Sequence, residues 1–139
     1  MQVLINIDVD DLERAVDFYQ AALELKLART LFDGDVAELR GASSRIYLLK
    51  NAEASQATKS GEARRFDRHW TPVHLDFVVD DIEQAVNRAN CAGAKQETAV
   101  QHFPWGKLAT LSDPFGNGFC LVQFPGEPYE GQDANDPES

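Results

Sequence analysis

PVHLDFVVDDIEQAV, Pro72–Val86, has a twin 70 positions earlier in QVLINIDVDDLERAV, Gln2–Val16. Aligned from Val3/Val73 to Val16/Val86, seven of the fourteen positions are identical, and Leu12/Ile82 and Ile5/Leu75 match in character. A repeated unit signals a fold built from copies of one module. Two copies are too few for a solenoid, so the repeat implies a duplicated unit paired about a pseudo-twofold axis. Each copy reads as a strand entering a helix. Val3, Ile5, Ile7 and Val9 alternate with Leu4, Asn6 and Asp8, and Val73, Leu75, Phe77 and Val79 alternate with His74, Asp76 and Val78. That is the period of a strand with one buried face. Asp10 with Glu13, and Asp80 with Glu83, have capping-box spacing at the start of a helix. Leu12, Val16, Tyr19 and Leu23, and Ile82, Val86 and Ala89, then form helical stripes, and Gly93 ends the second helix.

Working outward, Leu27–Phe32, Val36–Leu39 and Ser44–Lys50 read as three strands separated by Gly-containing turns. The first module is therefore βαβββ over residues 1–50. Residues 51–71 are polar and read as a linker whose aromatic end, Phe66 to Trp70, docks on the body. The second module, residues 72–125, repeats the order with a helix over Asp81–Ala92 and strands near Gln96–Gln101, Lys107–Ser112 and Phe119–Phe124. Residues 126–139 form an acidic tail expected to be mobile.

A hydrophobic fraction of 43% with 26% charged residues is that of a soluble globular protein. No apolar run spans a membrane and no signal-peptide pattern opens the chain, so a cytoplasmic protein is expected. Two cysteines make no disulfide framework. A net charge of −10 argues against nucleic acid as a partner. It is compatible with a cationic ligand, although most acidic proteins are simply soluble.

Asp113-Pro114-Phe115-Gly116-Asn117-Gly118 is a tight hairpin turn on its own chemistry. Together with the repeated strand–helix unit, Val9–Tyr19, Val73–Ala85 and Trp105–Gln123 carry a resemblance to the glyoxalase/bleomycin-resistance/dioxygenase, or vicinal oxygen chelate, superfamily. The resemblance implies an α+β fold of two βαβββ modules forming a cup-shaped, curved mixed sheet with the helices outside. It further implies that metal-dependent members coordinate one divalent ion through the first and last strands of both modules. Carried over residue by residue, those positions hold His74, Leu4, Cys120 and Tyr47, or Leu48 if the register slips by one. One conventional ligand in four remains, so the expectation is no metal and no cofactor.

Two functions stay open. The first is a binding module, taking a small cationic or aromatic molecule in the cup through Asn6, Asp8, Tyr47, His74, Asp76, Trp105 and Cys120. The second is a lyase or isomerase with His74 as general base, since an imidazole moves protons near neutral pH. His74 and Asp76 are two residues apart, ~6.6–7 Å along a strand, so a hydrogen bond between them is not assured. A homodimer is expected, twofold dimers being the commonest soluble oligomer.

Overall fold

The computed structural model describes residues 1–134. The strand–helix units fall where the repeat places them: β1 Ile5–Val9 and α1 Leu12–Leu23, then β5 Leu75–Val78 and α2 Ile82–Ala92. Both helices start with an extended aspartate whose carboxylate accepts a backbone N–H three residues on, Asp11 from Arg14 and Asp81 from Gln84. The caps are thus Asp11 and Asp81 rather than Asp10 and Asp80, because helical geometry begins at Leu12 and Ile82. Gly93 closes α2 in the left-handed region at φ 115°, and Glu24 does the same after α1 at φ 56°.

The first module continues with β2 Lys26–Leu31, β3 Val36–Arg40 and β4 Ile46–Lys50, giving a sheet in the order β1-β4-β3-β2 with β1 and β4 parallel. The second continues with β6 Lys95–Gln96, β7 Gln101–Phe103, β8 Gly106–Ser112 and β9 Gly118–Gln123, in the order β5-β9-β8-β6 with β7 also paired to β8. The continuous strand expected over Gln96–Gln101 is broken. Glu97 and Thr98 both donate their backbone N–H to the Thr110 carbonyl, and the Thr98 hydroxyl accepts from Thr110 N–H. Two residues against one is a bulge, which splits the edge into β6 and β7. The two sheets are not joined into a closed barrel.

Registers confirm the internal symmetry. Asn6 lies opposite Tyr47 and Asp76 opposite Cys120; Glu38 lies opposite Tyr47 and Thr110 opposite Cys120. Ile5, Ile7, Val9, Ala37, Leu39, Ile46 and Leu48 enter the first core, and Phe77, Ala109, Leu111, Phe119 and Leu121 enter the second. The cores interlock. Phe18 and Ala22 of α1 pack in the second, while Phe115 from the second module's turn packs in the first. Burying an aromatic side chain contributes about 1.5–3 kcal/mol, so this exchange welds the modules together.

The linker is anchored at several points. Arg64 pairs with Asp8 at 2.8 Å, Arg68 with Glu97 at 2.7 Å, and Phe66 packs on the first core, whereas Trp70 stays 79% exposed. The tail is held by Tyr129, whose ring meets Trp105 and Phe124 with centroids 5.2 Å and 4.9 Å away. Tyr129 remains half exposed in this cluster. The last five residues of the expected tail lie outside the described residues.

Candidate functional site on the concave face

With the apolar residues turned to the helices, the opposite face of each sheet presents polar side chains. In the first module it carries Glu38, a carboxylate only 1% exposed at the middle of β3. Its Oε1 accepts from the Tyr47 hydroxyl at 2.8 Å and from Arg29 at 3.2 Å, and its Oε2 accepts from Arg40 at 3.2 Å. The Tyr47 hydrogen bond, and then the two guanidinium groups, hold the Glu38 pKa down to about 2 against the opposing pull of burial. Tyr47 is therefore on the concave face and Leu48 in the core, which fixes the register of β4. Glu38 is absent from the sequence-derived set. The signal that finds it is a charged residue inside the alternating run Val36-Ala37-Glu38-Leu39-Arg40, with a second charge two residues on.

Asp8 is also on this face, held by Arg64 and by the Asn51 amide at 2.9 Å. Asn6 is exposed beside it.

The second module assembles a different group. His74 Nε2 lies 3.3 Å from Asp76 Oδ1, so side-chain reach closes the gap that strand spacing alone left open. Cys120, buried, lies across the ladder from Asp76, and donor atoms of His74, Asp76 and Cys120 all fall within 4.8 Å of one another. The Thr110 hydroxyl is 3.5 Å from the Cys120 sulfur. Burial pushes the Cys120 pKa up; Thr110 opposes this and the Asp76 carboxylate adds to it, so the group is a thiol at neutral pH. His74, Thr110 and Cys120 border a cavity of about 210 Å³ that Arg68, Trp70 and Thr71 also line. Trp105 stands apart. It stacks on Phe103 at 4.9 Å and within 5° of parallel, in the cluster that holds Tyr129.

The seam between modules is built on Asp113. Its carboxylate accepts from the buried Tyr19 hydroxyl at 2.6 Å and from the backbone N–H groups of Phe115 and Asn117, and Asn117 Nδ2 reaches both Asp113 and the Asp8 carbonyl. Burial raises the Asp113 pKa while these four donated bonds pull it back; burial, then the Asp113 charge, raises that of Tyr19 well above the ordinary tyrosine value.

A two-module metal site does not fit these residues. Leu4 has no donor atom, and the Tyr47 hydroxyl is committed to the Glu38 carboxylate. His74, Asp76 and Cys120 are the side chains among the described residues that come close enough to hold an ion, and all three belong to one module.

Duplicated βαβββ units with polar concave faces and outer helices define a protein of the glyoxalase/bleomycin-resistance/dioxygenase fold. An enzyme of that family from Burkholderia phytofirmans PsJN superposes with a TM-score of 0.67 at 20% identity, over 87% of this chain and 96% of that one. The chain belongs to the glyoxalase-like domain family, whose pattern it matches over residues 4–122. The uncharacterised protein Mb0911c of Mycobacterium bovis is 31% identical over 120 residues, covering 83% of this chain and 78% of that protein. The anthracycline biosynthesis protein DnrV of Streptomyces peucetius is 28% identical over 119 residues; the match takes in 86% of this chain and 40% of DnrV.

Proposed function

We propose that the protein binds a small polar organic molecule on the concave face of the second module. The observation that carries this reading is the cavity of about 210 Å³ in which Arg68, Thr71, His74, Thr110 and Cys120 converge beside the exposed Trp70. A concave site with a few convergent polar groups is the usual form of a small-molecule site. Despite the acidity of the whole chain, guanidinium groups border this side: Arg68 lines the cavity, and Arg29 and Arg40 flank Glu38 in the other half. Each is already paired with a carboxylate, Arg68 with Glu97 and the other two with Glu38. The groups open to a ligand are therefore the Thr71 and Thr110 hydroxyls and the His74 ring, which suit a neutral or acidic molecule bearing carbonyl or hydroxyl oxygens.

The contact between His74 and Asp76 supports a second reading, in which the bound molecule undergoes proton transfer. A carboxylate 3.3 Å from one ring nitrogen orients the imidazole, leaving the other nitrogen to act as general base. The thiol of Cys120 serves as wall rather than nucleophile.

Calorimetric and thermal-shift titration with small keto acids and hydroxy acids tests both. Binding that disappears in Cys120→Phe, which fills the cavity, and persists in His74→Gln supports the site with His74 in a chemical role. Binding untouched by Cys120→Phe places the site elsewhere and overturns the proposal. A twofold dimer accompanies this reading, supported by the exposure of Trp70 and Val73, and a monomeric mass by light scattering would exclude it.

A further inference from the structure

Internal symmetry gives every feature of one module a counterpart in the other, and one pair is conspicuously unequal. On the first helix, the turn Asp113–Asn117 is seated beside α1. Phe115, 1% exposed, shares a core with Val9, Ala15 and Tyr19, the Arg14 guanidinium lies 5.7 Å over its ring, and Asn117 Nδ2 donates to the Asp8 carbonyl on the free edge of β1. Shifting each residue by 70 gives the counterparts Val79, Ala85, Ala89, Gln84 and Val78 on β5 and α2. The turn that should fill this second seat joins β3 to β4. It is one residue shorter, and its tip is Gly41-Ala42-Ser43 with no aromatic ring.

The result is an open notch of about 730 Å³, bordered by Gly41–Ser43, Val78, Val79, Gln84, Ala85 and the chain leaving α1. We infer that this notch, which meets the concave face at Asp76, is a second ligand site that takes an aromatic ring carrying a protonated amine or amidine.

Three features of the filled counterpart specify that chemistry. First, the seat there accepts a phenyl ring, and the volume here falls within the range of small-molecule pockets. Second, it supplies an N–H donor to the strand's free edge. Val79 donates its N–H to Val122 across the ladder, so alternation turns the Val78 carbonyl toward the notch, where no side chain among the described residues reaches it. Third, the mouth of the notch carries Glu24, Asp80 and Asp81, with Asp76 turned to His74 at its border with the concave face, and its one guanidinium, Arg88, lies 3.6 Å from Glu24. A cationic N–H donor satisfies the carbonyl and meets this negative surroundings at once.

The experiment titrates the full chain with 2-phenylethylamine and benzamidine, and with phenylacetate and benzoate as matched anions, following backbone amide shifts by NMR. The cations are expected to shift Gly41 and Ala85 and to bind several-fold tighter than the anions. Ser43→Phe, at an exposed turn position, restores the missing plug and should remove this binding while leaving the fold intact. Asp80→Asn should weaken the cations several-fold, and Cys120→Phe, in the concave cavity, should leave the cation-induced shifts of Gly41 and Ala85 in place, which separates this test from that of the concave site. Equal affinity for the anions, shifts confined to other residues, unaltered binding in Ser43→Phe, or no binding into the millimolar range would each overturn the inference.

Discussion

Removing one oxygen atom tests how the two modules are joined. Tyr19→Phe deletes the hydroxyl that donates to Asp113 at 2.6 Å in a buried setting and leaves the ring in its core. A hydrogen bond to a charged group contributes about 1.5–3 kcal/mol. Three donated bonds remain on Asp113, from Phe115 N–H, Asn117 N–H and Asn117 Nδ2, so the carboxylate is weakened rather than abandoned. The expected loss is therefore about 2 kcal/mol at pH 7. Its pH dependence has a definite sign. Burial raises the Asp113 pKa in the folded state and the Tyr19 bond lowers it, so the variant raises it further. A raised carboxylate pKa means that the folded state resists ionisation, and this cost appears as pH climbs above the unfolded value. The penalty of Tyr19→Phe must accordingly be larger at pH 7 than at pH 3, where Asp113 is protonated in both states. Urea denaturation at the two pH values measures it, with the slope m unchanged if unfolding stays all-or-none. A loss below about 0.5 kcal/mol at pH 7, or an equal loss at both, would show that the seam does not depend on this bond.

Two further outcomes follow from the concave face and the helices. Glu38→Gln should flatten the acid limb of the stability profile, since a carboxylate held down to about 2 contributes stability that is present above its unfolded value of 4.5 and lost as pH falls through 2; circular dichroism of both proteins between those limits checks it, and superimposable acid limbs would contradict the network. Cys91 is exposed and Cys120 buried with a raised pKa, so a thiol reagent at pH 8 should modify Cys91 first and Cys120 slowly. Mass mapping of the labelled peptides reads the order, and prior labelling of Cys120 would show the concave cavity to be more open and its thiol more acidic than the structure has it.

The fold was legible because packing writes itself into sequence as period. Val3–Val9 and Val73–Val79 alternate, the helical stripes recur 70 residues later, and both registers follow once the strands are set against the helices. Boundaries were less legible where hydrogen bonding, not burial, decides them. The bulge at Glu97 and Thr98 depends on the Thr110 peptide across the ladder, which no local pattern reveals. On the concave face, alternation names which residues point inward but not what they meet. Asp8, chosen as a ligand contact, is taken by Arg64 from the linker, 56 positions away, and Glu38 escapes notice because its partners come from three different strand positions. His74 and Asp76 form the reverse case, close in sequence yet brought into contact only by their side-chain rotamers.

What differs between the modules is more informative than what repeats. Among the residues held identical by the duplication, Val9/Val79 and Ala15/Ala85 pack and Asp11/Asp81 cap, and they make both halves fold the same way. The residues that have diverged sit on the surfaces left over. Tyr47 and Glu38 face Cys120 and Thr110 as counterparts: the first pair is sealed into an ionic network, and the second opens a cavity. Phe115 is replaced by the small residues of the Gly41–Ser43 turn, so a solid seat on one side becomes a notch on the other. In each case one copy keeps bulk and hydrogen bonds, within the first module at Glu38 and between the modules at Phe115, while the other holds smaller side chains that leave the space open. A closed half supplies rigidity and an open half supplies room, and this division explains how a small chain can hold a fixed core and still keep concave surface open.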